Sequence, residues 1–189
     1  MRTRTKMREK NAATLAVIDM QIAFAEPSSD WFIPRYEEVE AKVAQLVDAF
    51  ENSVVWTKFV RDPQEQGAWA DYYDRWSSFR VDKGSEQWDI TLETRPEHAT
   101  ISLPTFSKWG SELAGIAPLE ARLVICGVAT DCCVLSTALG AIDAGRSVTI
   151  VTDACGAVSD DAQKQTLDLL GLLSPMVTLT TTAELLKSL

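Results

Sequence analysis

The sequence predicts an α/β fold, a three-layer α/β/α sandwich in which helices cover both faces of a mostly parallel six-stranded sheet. Two observations support this fold class. Six short runs with strand character alternate along the chain with segments of helical periodicity, and this alternation is typical of parallel sheets with crossover helices. The first run is also almost continuously apolar, as in a strand buried on both faces.

The predicted strands share short length and many β-branched residues. They are TLAVID (14–19), SVVWTKFV (53–60), TISLPTF (100–106), RLVICGV (122–128), SVTIVTDA (147–154) and MVTLTT (176–181). We expect Pro104 to end the third strand, because proline cannot donate a ladder hydrogen bond.

Helical patterns lie between these strands. The clearest is at residues 36–50, where apolar residues recur at steps of three and four and acidic residues fill the other face. Further helices are predicted at 110–117, 131–144 and 161–173 and in the final segment TAELLKSL. The helix at 131–144 is expected to end at Gly145, a natural residue for the position after a helix.

Residues 61–98 interrupt this alternation. They are polar, rich in tryptophan and tyrosine, and only weakly periodic, which predicts a long loop with short helices. Because long loops in compact domains are often functional, we expect this variable segment to line a pocket. It would belong to one domain over residues 13–189, whereas the basic residues 1–12 are expected to form a flexible arm.

Composition restricts the classes of function. The net charge of −9 argues against nucleic-acid and anionic-membrane partners. No apolar run is long enough to span a membrane, and no secretory signal is recognisable. The four cysteines lack the spacing of a disulfide framework or zinc site. We therefore expect a cytoplasmic protein with reduced thiols.

The chain contains one histidine, His98. A multi-histidine metal site is therefore impossible, and a histidine-based triad could use only this residue. Because His98 lies in the polar stretch TRPEHAT, we expect it at the surface or in a turn.

Open parallel sheets bind ligands outside the carboxyl ends of their strands, so residues directly after strands are candidates for chemistry. Asp19 ends the first strand, where a carboxylate is costly unless it is paired or used. Lys108 follows the third strand, and Cys132 and Cys133 follow the fourth. Taken singly, each also fits a structural role: a turn cap, a solvated loop lysine, or a small buried hydrophobic residue.

The adjacent cysteines begin a predicted helix, whose N-terminus lowers the pKa of a thiol. Cys126 and Cys155 instead lie within and just past strands, and they fit the role of buried hydrophobic residues. A thiolate, a cation and a carboxylate at one sheet edge would supply a nucleophile, an electrostatic activator and a general base.

Three motifs resemble those of the isochorismatase-like cysteine hydrolases, which include nicotinamidases, N-carbamoylsarcosine amidohydrolases, and ureidoacrylate and biuret hydrolases. They are VIDMQIAF (17–24), the lysine motif TFSKWGSEL (105–113), and CGVATDCCVLST (126–137), which is similar to G-x-x-T-[DN]-x-C-V-x-x-T. The resemblance covers roughly residues 14–180 and implies the Rossmann-like sheet of that family.

The resemblance implies that Cys133, directly before the valine of the motif, is the nucleophile of a triad with Asp19 and Lys108. It also implies a cis peptide bond between Val128 and Ala129 and an oxyanion hole made by the backbone N–H groups of Ala129 and Cys133. The implied reaction is hydrolysis of a C–N bond in a small amide, ureido or carbamoyl compound through a thioester. Homodimers or homotetramers are implied as well.

The sequence departs from the nicotinamidases at their metal site. Those relatives place an aspartate and histidines after the second strand, where this chain has Phe59 and Arg61. With one histidine that site cannot be built, so we expect no metal there. We also expect no other cofactor. Isochorismate hydrolysis is also disfavoured, because that branch replaces the cysteine-centred motif.

Aromatic residues are the candidates for substrate binding. Phe24, Trp31 and Trp109 each follow a strand end closely, and Trp69 and Trp76 lie in the helically spaced aromatic part of the 61–98 segment. That spacing equally fits a short helix packing its apolar face. Three arginines of the segment could bind a substrate carboxylate, although surface positions are the simpler interpretation: Arg61, Arg75 and Arg80.

Other functions stay open on the sequence. The chain could be a catalytically silent binding or assembly module on the same fold, or a nicotinamidase-type amidase without the usual metal site. A redox protein that uses the Cys132–Cys133 pair is a further alternative, although adjacent cysteines rarely meet the geometry of a disulfide.

Overall fold

The computed structural model describes residues 13–189, so the arm predicted for residues 1–12 lies outside the described residues. Six strands form one sheet: β1 (Ala13–Ile18), β2 (Val54–Phe59), β3 (Ala99–Leu103), β4 (Arg122–Val128), β5 (Val148–Gly156) and β6 (Val177–Thr180). Their order is β3-β2-β1-β4-β5-β6, and all five neighbouring pairs are parallel. The predicted α/β fold class with a six-stranded parallel sheet is confirmed.

Helices flank the sheet. They are α1 (Ile22–Ala25), α2 (Tyr36–Phe50), α3 (Ala68–Arg75), α4 (Ser111–Ile116), α5 (Leu135–Asp143), α6 (Asp160–Gly171) and α7 (Thr182–Ser188). Two 3₁₀ turns, Ser77–Phe79 and Glu86–Trp88, lie in the segment after α3, and a π-helical turn, Thr130–Val134, precedes α5. None of the helices within residues 13–189 is both long and apolar enough to cross a membrane.

The central strands form the core because apolar residues cover both of their faces. Residues 15–18 of β1 and 123–126 of β4 are fully buried, as expected for inner strands of a sheet covered by helices. Helix α2 buries the side chains that its periodicity predicts: Tyr36, Val39, Val43, Leu46, Val47 and Phe50.

The structure differs from the sequence predictions in two helical regions. The short helix α1 was not predicted, since four residues carry too little periodicity to be recognised. The helix predicted over 131–144 begins instead as a π-helical turn, because the N–H groups of Cys132 and Val134 both donate to the carbonyl of Ala129. The predicted end is confirmed: Gly145 has φ of +78°, which glycine adopts without a Cβ penalty.

His98 is buried, so the predicted surface position is wrong, although the residue does close a turn with its N–H donating to Arg95. Its Nδ1 accepts from the indole Nε1 of Trp56 at 3.1 Å, and its Nε2 donates to the carbonyl of Glu51 at 2.6 Å. Both ring nitrogens are thus satisfied inside the protein. The sole histidine therefore has a structural role, away from Asp19 and Cys133.

Candidate active site

The sheet order creates a crevice between β1 and β4. These strands are neighbours, with Ile18 opposite Gly127, yet each is followed in sequence by a strand on its other side. The chain therefore leaves the two strand ends in opposite directions, and this is where open α/β sheets bind ligands. Asp19 directly follows β1 and Ala129 directly follows β4.

Asp19 is fully buried and has a positive φ of 48°, a conformation that aspartate tolerates better than most residues. Its Oδ1 accepts a 2.6 Å hydrogen bond from the Thr57 hydroxyl, and its backbone N–H donates to Thr57 Oγ1 at 3.2 Å. Thr57 is a fully buried residue of β2. One hydroxyl thus fixes the carboxylate and leaves Oδ2 for another partner.

That partner is Lys108, which is fully buried and not the solvated loop lysine of the simpler interpretation. Its Nζ lies 3.1 Å from Asp19 Oδ2, donates to the carbonyl of Thr105 at 2.6 Å, and lies 4.6 Å from the ring centroid of Phe59. The Lys108 backbone N–H donates to Thr137 Oγ1 at 2.8 Å. A buried ion pair of this kind is held by neighbouring hydrogen bonds that offset the desolvation of both charges.

Cys133 lies in the π-helical turn and is 3% exposed. A hydrogen bond with Cys132, burial and the negative charge of Asp19 raise the pKa of its thiol well above the usual value, against the opposing charge of Lys108. The lowered pKa expected at a helix N-terminus is therefore wrong in direction. Because the thiol is protonated, a base must remove its proton before the sulfur can attack.

The other cysteines divide as their positions indicate. Cys126 and Cys155 are buried, and burial raises the pKa of both thiols, that of Cys155 to about 12. They fit the predicted role of small hydrophobic residues. Cys132 is only partly buried and lines the same cavity as Cys133.

The peptide bond between Val128 and Ala129 is cis. The carbonyl of Ala129 then accepts from the N–H groups of both Cys132 and Val134, at 3.1 Å each. This winds the chain tightly from the end of β4 into the turn that carries Cys133. Ala129 and Cys133, the two residues predicted for an oxyanion hole, both line one cavity.

The cavity has a volume of about 260 Å³, enough for a compact small molecule. Six of its thirteen lining residues are aromatic: Phe24, Trp31, Phe59, Tyr72, Trp76 and Phe106. The rings pack on one another, as Trp31 does on Phe79 behind it at 3.5 Å between centroids. Tyr72 and Trp76 of this wall belong to the 61–98 segment.

Three of the five aromatic residues predicted for substrate binding line this cavity: Phe24, Trp31 and Trp76. Trp69 and Trp109 do not. Trp69 packs edge-on against Phe106, 4.8 Å between centroids, and so supports the wall from behind. Trp109 lies against the guanidinium of Arg146 at 5.2 Å. Trp109 follows the end of β3 closely, but its side chain does not line the cavity.

Several residues at the site were missed on the sequence. Phe59 ends β2, and extending the strand-end argument to that strand would have found it. Thr57 could have been noticed as a lone hydroxyl within an apolar strand. Gln21 is fully buried and makes three hydrogen bonds, with Phe59 N–H, Phe59 C=O and Trp88 C=O, at 2.8 to 3.2 Å. This motif glutamine therefore attaches the end of β1 to β2 and to the 61–98 segment.

The three arginines considered for binding a substrate carboxylate do not line the cavity. Arg61 pairs with Glu65 at 2.6 Å, and Arg80 pairs with Asp74 at 2.6 Å. Arg75 lies 4.8 Å from the ring centroid of Trp76. Among the described residues, none of the cavity's lining side chains is an arginine, lysine or histidine.

The residues at the end of β2 and just after it do not fit the metal site of the nicotinamidases. Phe59 supplies a ring and no donor atom, and the guanidinium of Arg61 is paired with Glu65. Within residues 13–189, no group of three histidine, cysteine, aspartate or glutamate side chains is arranged to hold a metal ion.

A family model, the Isochorismatase domain, matches residues 13–184. The chain belongs to the isochorismatase-like hydrolase family. Compared with curated protein sequences, the chain has no match. The family membership therefore rests on the domain model, with solved structures in support of the fold.

Solved structures share the isochorismatase-family fold along almost the whole chain. A cysteine hydrolase from Pseudomonas syringae pv. phaseolicola 1448A has a TM-score of 0.82 at 17% identity, over 95% of this chain and 92% of that chain. A pyrazinamidase of Pyrococcus horikoshii in complex with zinc has a TM-score of 0.73 at 23% identity, over 89% and 98%. A nicotinamidase/pyrazinamidase from Bacillus subtilis gives 0.71 at 19% identity, over 89% and 99%.

Proposed function

We propose that this isochorismatase-family protein hydrolyses a C–N bond in a small amide, ureido or carbamoyl compound, with Cys133 as the nucleophile. One observation carries the proposal. A buried carboxylate and a buried ammonium, 3.1 Å apart, follow β1 and β3, and the buried thiol of Cys133 follows β4 and lines a cavity of small-molecule size.

The first step is proton transfer from the Cys133 thiol to Asp19. The raised pKa of the thiol makes a base necessary, and Asp19 Oδ2 has no hydrogen bond besides its ion pair with Lys108 within the described residues. As the proton moves, negative charge passes from the carboxylate to the sulfur, and the Lys108 ammonium stabilises it there.

The thiolate then attacks the carbonyl carbon, and the C=O electron pair moves onto oxygen. The N–H groups of Ala129 and Cys133 would receive this oxyanion, a type of interaction whose loss typically costs about 100- to 1,000-fold in rate. The C–N bond breaks as Asp19 returns the proton to the leaving nitrogen. Water cleaves the resulting thioester, which releases the acid and restores the thiol.

The test combines a substrate screen with single-sulfur variants. Ammonia release is measured with nicotinamide, biuret, ureidoacrylate, N-carbamoyl amino acids and simple amides. For any substrate that is turned over, Cys133→Ser should lose most of the activity and Cys133→Ala all of it, with the fold kept by circular dichroism. The matched control is Cys132→Ser, which alters the neighbouring sulfur on the same cavity and should keep activity.

Full activity in Cys133→Ala would overturn the proposed nucleophile. If the wild type releases no ammonia across the panel, the alternative of a silent binding module is favoured. A loss of both thiols of the Cys132–Cys133 pair within one chain under mild oxidant would favour the redox alternative.

A further inference from the structure

The charged residues that line the cavity are both acidic. Of its thirteen lining residues, only Asp30 and Asp131 carry charge. The Lys108 ammonium is fully buried and paired with Asp19, and the Arg75 guanidinium lies 4.8 Å from the ring centroid of Trp76 without itself lining the cavity. The cavity therefore presents negative charge and aromatic surface to a molecule that enters it.

Neighbouring groups hold both carboxylates in position. Asp131, two residues before Cys133, is partly buried and accepts from the Val158 N–H at 3.3 Å through Oδ1. Asp30 is exposed and accepts from the Ser78 hydroxyl at 2.7 Å through Oδ2. A carboxylate fixed at a cavity wall attracts a cation without the cost of ordering a mobile side chain.

The aromatic wall favours the same kind of ligand. The faces of tryptophan, tyrosine and phenylalanine attract cations, typically by about 0.5–2 kcal/mol, and alkylammonium groups bind in aromatic-lined sites of this type. An anion would instead meet two carboxylates of like charge, which repel it. The net charge of the chain, −9, adds long-range attraction of cations and repulsion of anions.

We infer that the cavity selects substrates whose non-reacting end is a cation such as an alkylammonium group, and that Asp30 and Asp131 are the residues that select it. This inference rests on the proposed function, since it names the substrate class of the same site. It disfavours N-carbamoyl amino acids and ureidoacrylate, which carry a carboxylate at neutral pH.

Three matched amides test the inference. They are butanamides whose far end carries a trimethylammonium group, its uncharged tert-butyl isostere, or a carboxylate. We expect kcat/KM to fall about tenfold from cation to isostere and further to the anion, a tenfold step being about 1.4 kcal/mol. Asp131→Asn and Asp30→Asn should each reduce the preference for the cation over the isostere.

The control is Asp48→Asn, which makes the same change in net charge on helix α2. Asp48 lies near the end of that helix, just before β2 begins, and so at the edge of the sheet opposite the cavity. This variant should keep the preference of the wild type. A wild type that prefers the anion or the isostere, or a preference that neither Asp30→Asn nor Asp131→Asn reduces, would overturn the inference.

Binding separates this inference from the proposed function. If the wild type hydrolyses none of the three amides, their affinities are measured on Cys133→Ala through tryptophan fluorescence, to which Trp31 and Trp76 of the cavity wall contribute. Tighter binding of the cation, weakened by Asp131→Asn, supports the charge selection even though the proposed hydrolysis fails. Equal or reversed affinities contradict it.

Discussion

Gly127 lies so close to Ile18 that a Cβ atom on Gly127 would overlap the carbonyl oxygen of Ile18. The two residues are opposite each other in adjacent strands, and Gly127 has φ of +109°, a conformation that side chains other than glycine rarely adopt. Asp19 follows Ile18 directly after β1, and Val128 follows Gly127 as the last residue of β4. This close approach therefore sets the separation between the proposed base and the turn that carries Cys133.

Gly127→Ala should strongly destabilise the protein. The added methyl group meets backbone atoms, which cannot move away as a flexible side chain can, and the positive φ adds strain. We expect a loss of about 3 kcal/mol or more in the free energy of unfolding, measured by urea denaturation. The matched control is Gly115→Ala in helix α4, where a Cβ meets no heavy atom within 4 Å. Equal effects of the two substitutions would contradict this account.

Lys108→Met should reduce both stability and activity, because it leaves the buried Asp19 carboxylate without its counter-charge. Breaking a buried ion pair from one side typically costs about 3–5 kcal/mol. The double variant Asp19→Asn/Lys108→Met removes both charges and should recover much of the unfolding free energy while staying inactive. A double variant less stable than Lys108→Met would show that the charge pairing is not the cause.

Cys132→Ala should lower the pKa of the Cys133 thiol, because the hydrogen bond with Cys132 is the largest cause of the upward shift. More thiolate is then present at a given pH, so iodoacetamide should alkylate Cys133 several-fold faster near pH 8. The rate is followed by mass spectrometry of the Cys133 peptide over a range of pH. The control is Cys126→Ala, which removes a sulfur buried within β4. It should leave the pH dependence of the Cys133 alkylation rate unchanged. An unchanged profile in Cys132→Ala would contradict the assigned cause.

Stability should fall as pH rises above about 9. The thiols of Cys126, Cys133 and Cys155 have raised pKa values in the folded protein, so the unfolded chain loses these protons first and gains stability relative to the folded state. Each such thiol contributes a loss of up to about 1.4 kcal/mol per pH unit between its unfolded and folded pKa. For Cys155 the window extends from about 9, its model-compound value, to about 12.

Urea denaturation at a series of pH values from 8 to about 11 tests this expectation. Cys155→Ala should be less stable at pH 8 because of the cavity it creates, yet its stability should decline less steeply with pH than that of the wild type. Parallel declines in the two proteins would show that the Cys155 thiol does not contribute.

Much of the secondary structure followed from local patterns. Helix α2 occupies its predicted span. Its fifteen residues are enough for the spacing of apolar residues to identify a helix. Strand β4 likewise covers the run RLVICGV. The short helix α1 and the π-helical turn at Thr130 were missed or simplified, since both depend on hydrogen bonds of a single turn rather than on a repeating pattern.

The sequence by itself determined the order of strands and helices, the family motifs, and the three candidate residues at strand ends, because periodicity and spacing are local properties of the chain. Only the tertiary structure decided the environment of those residues. It placed Lys108 and Asp19 in a fully buried pair, raised the pKa of Cys133 rather than lowering it, and left Trp109 outside the lining of the cavity. The physical reason is that burial, electrostatic coupling and side-chain direction depend on groups that are distant in sequence and meet only when the sheet has formed.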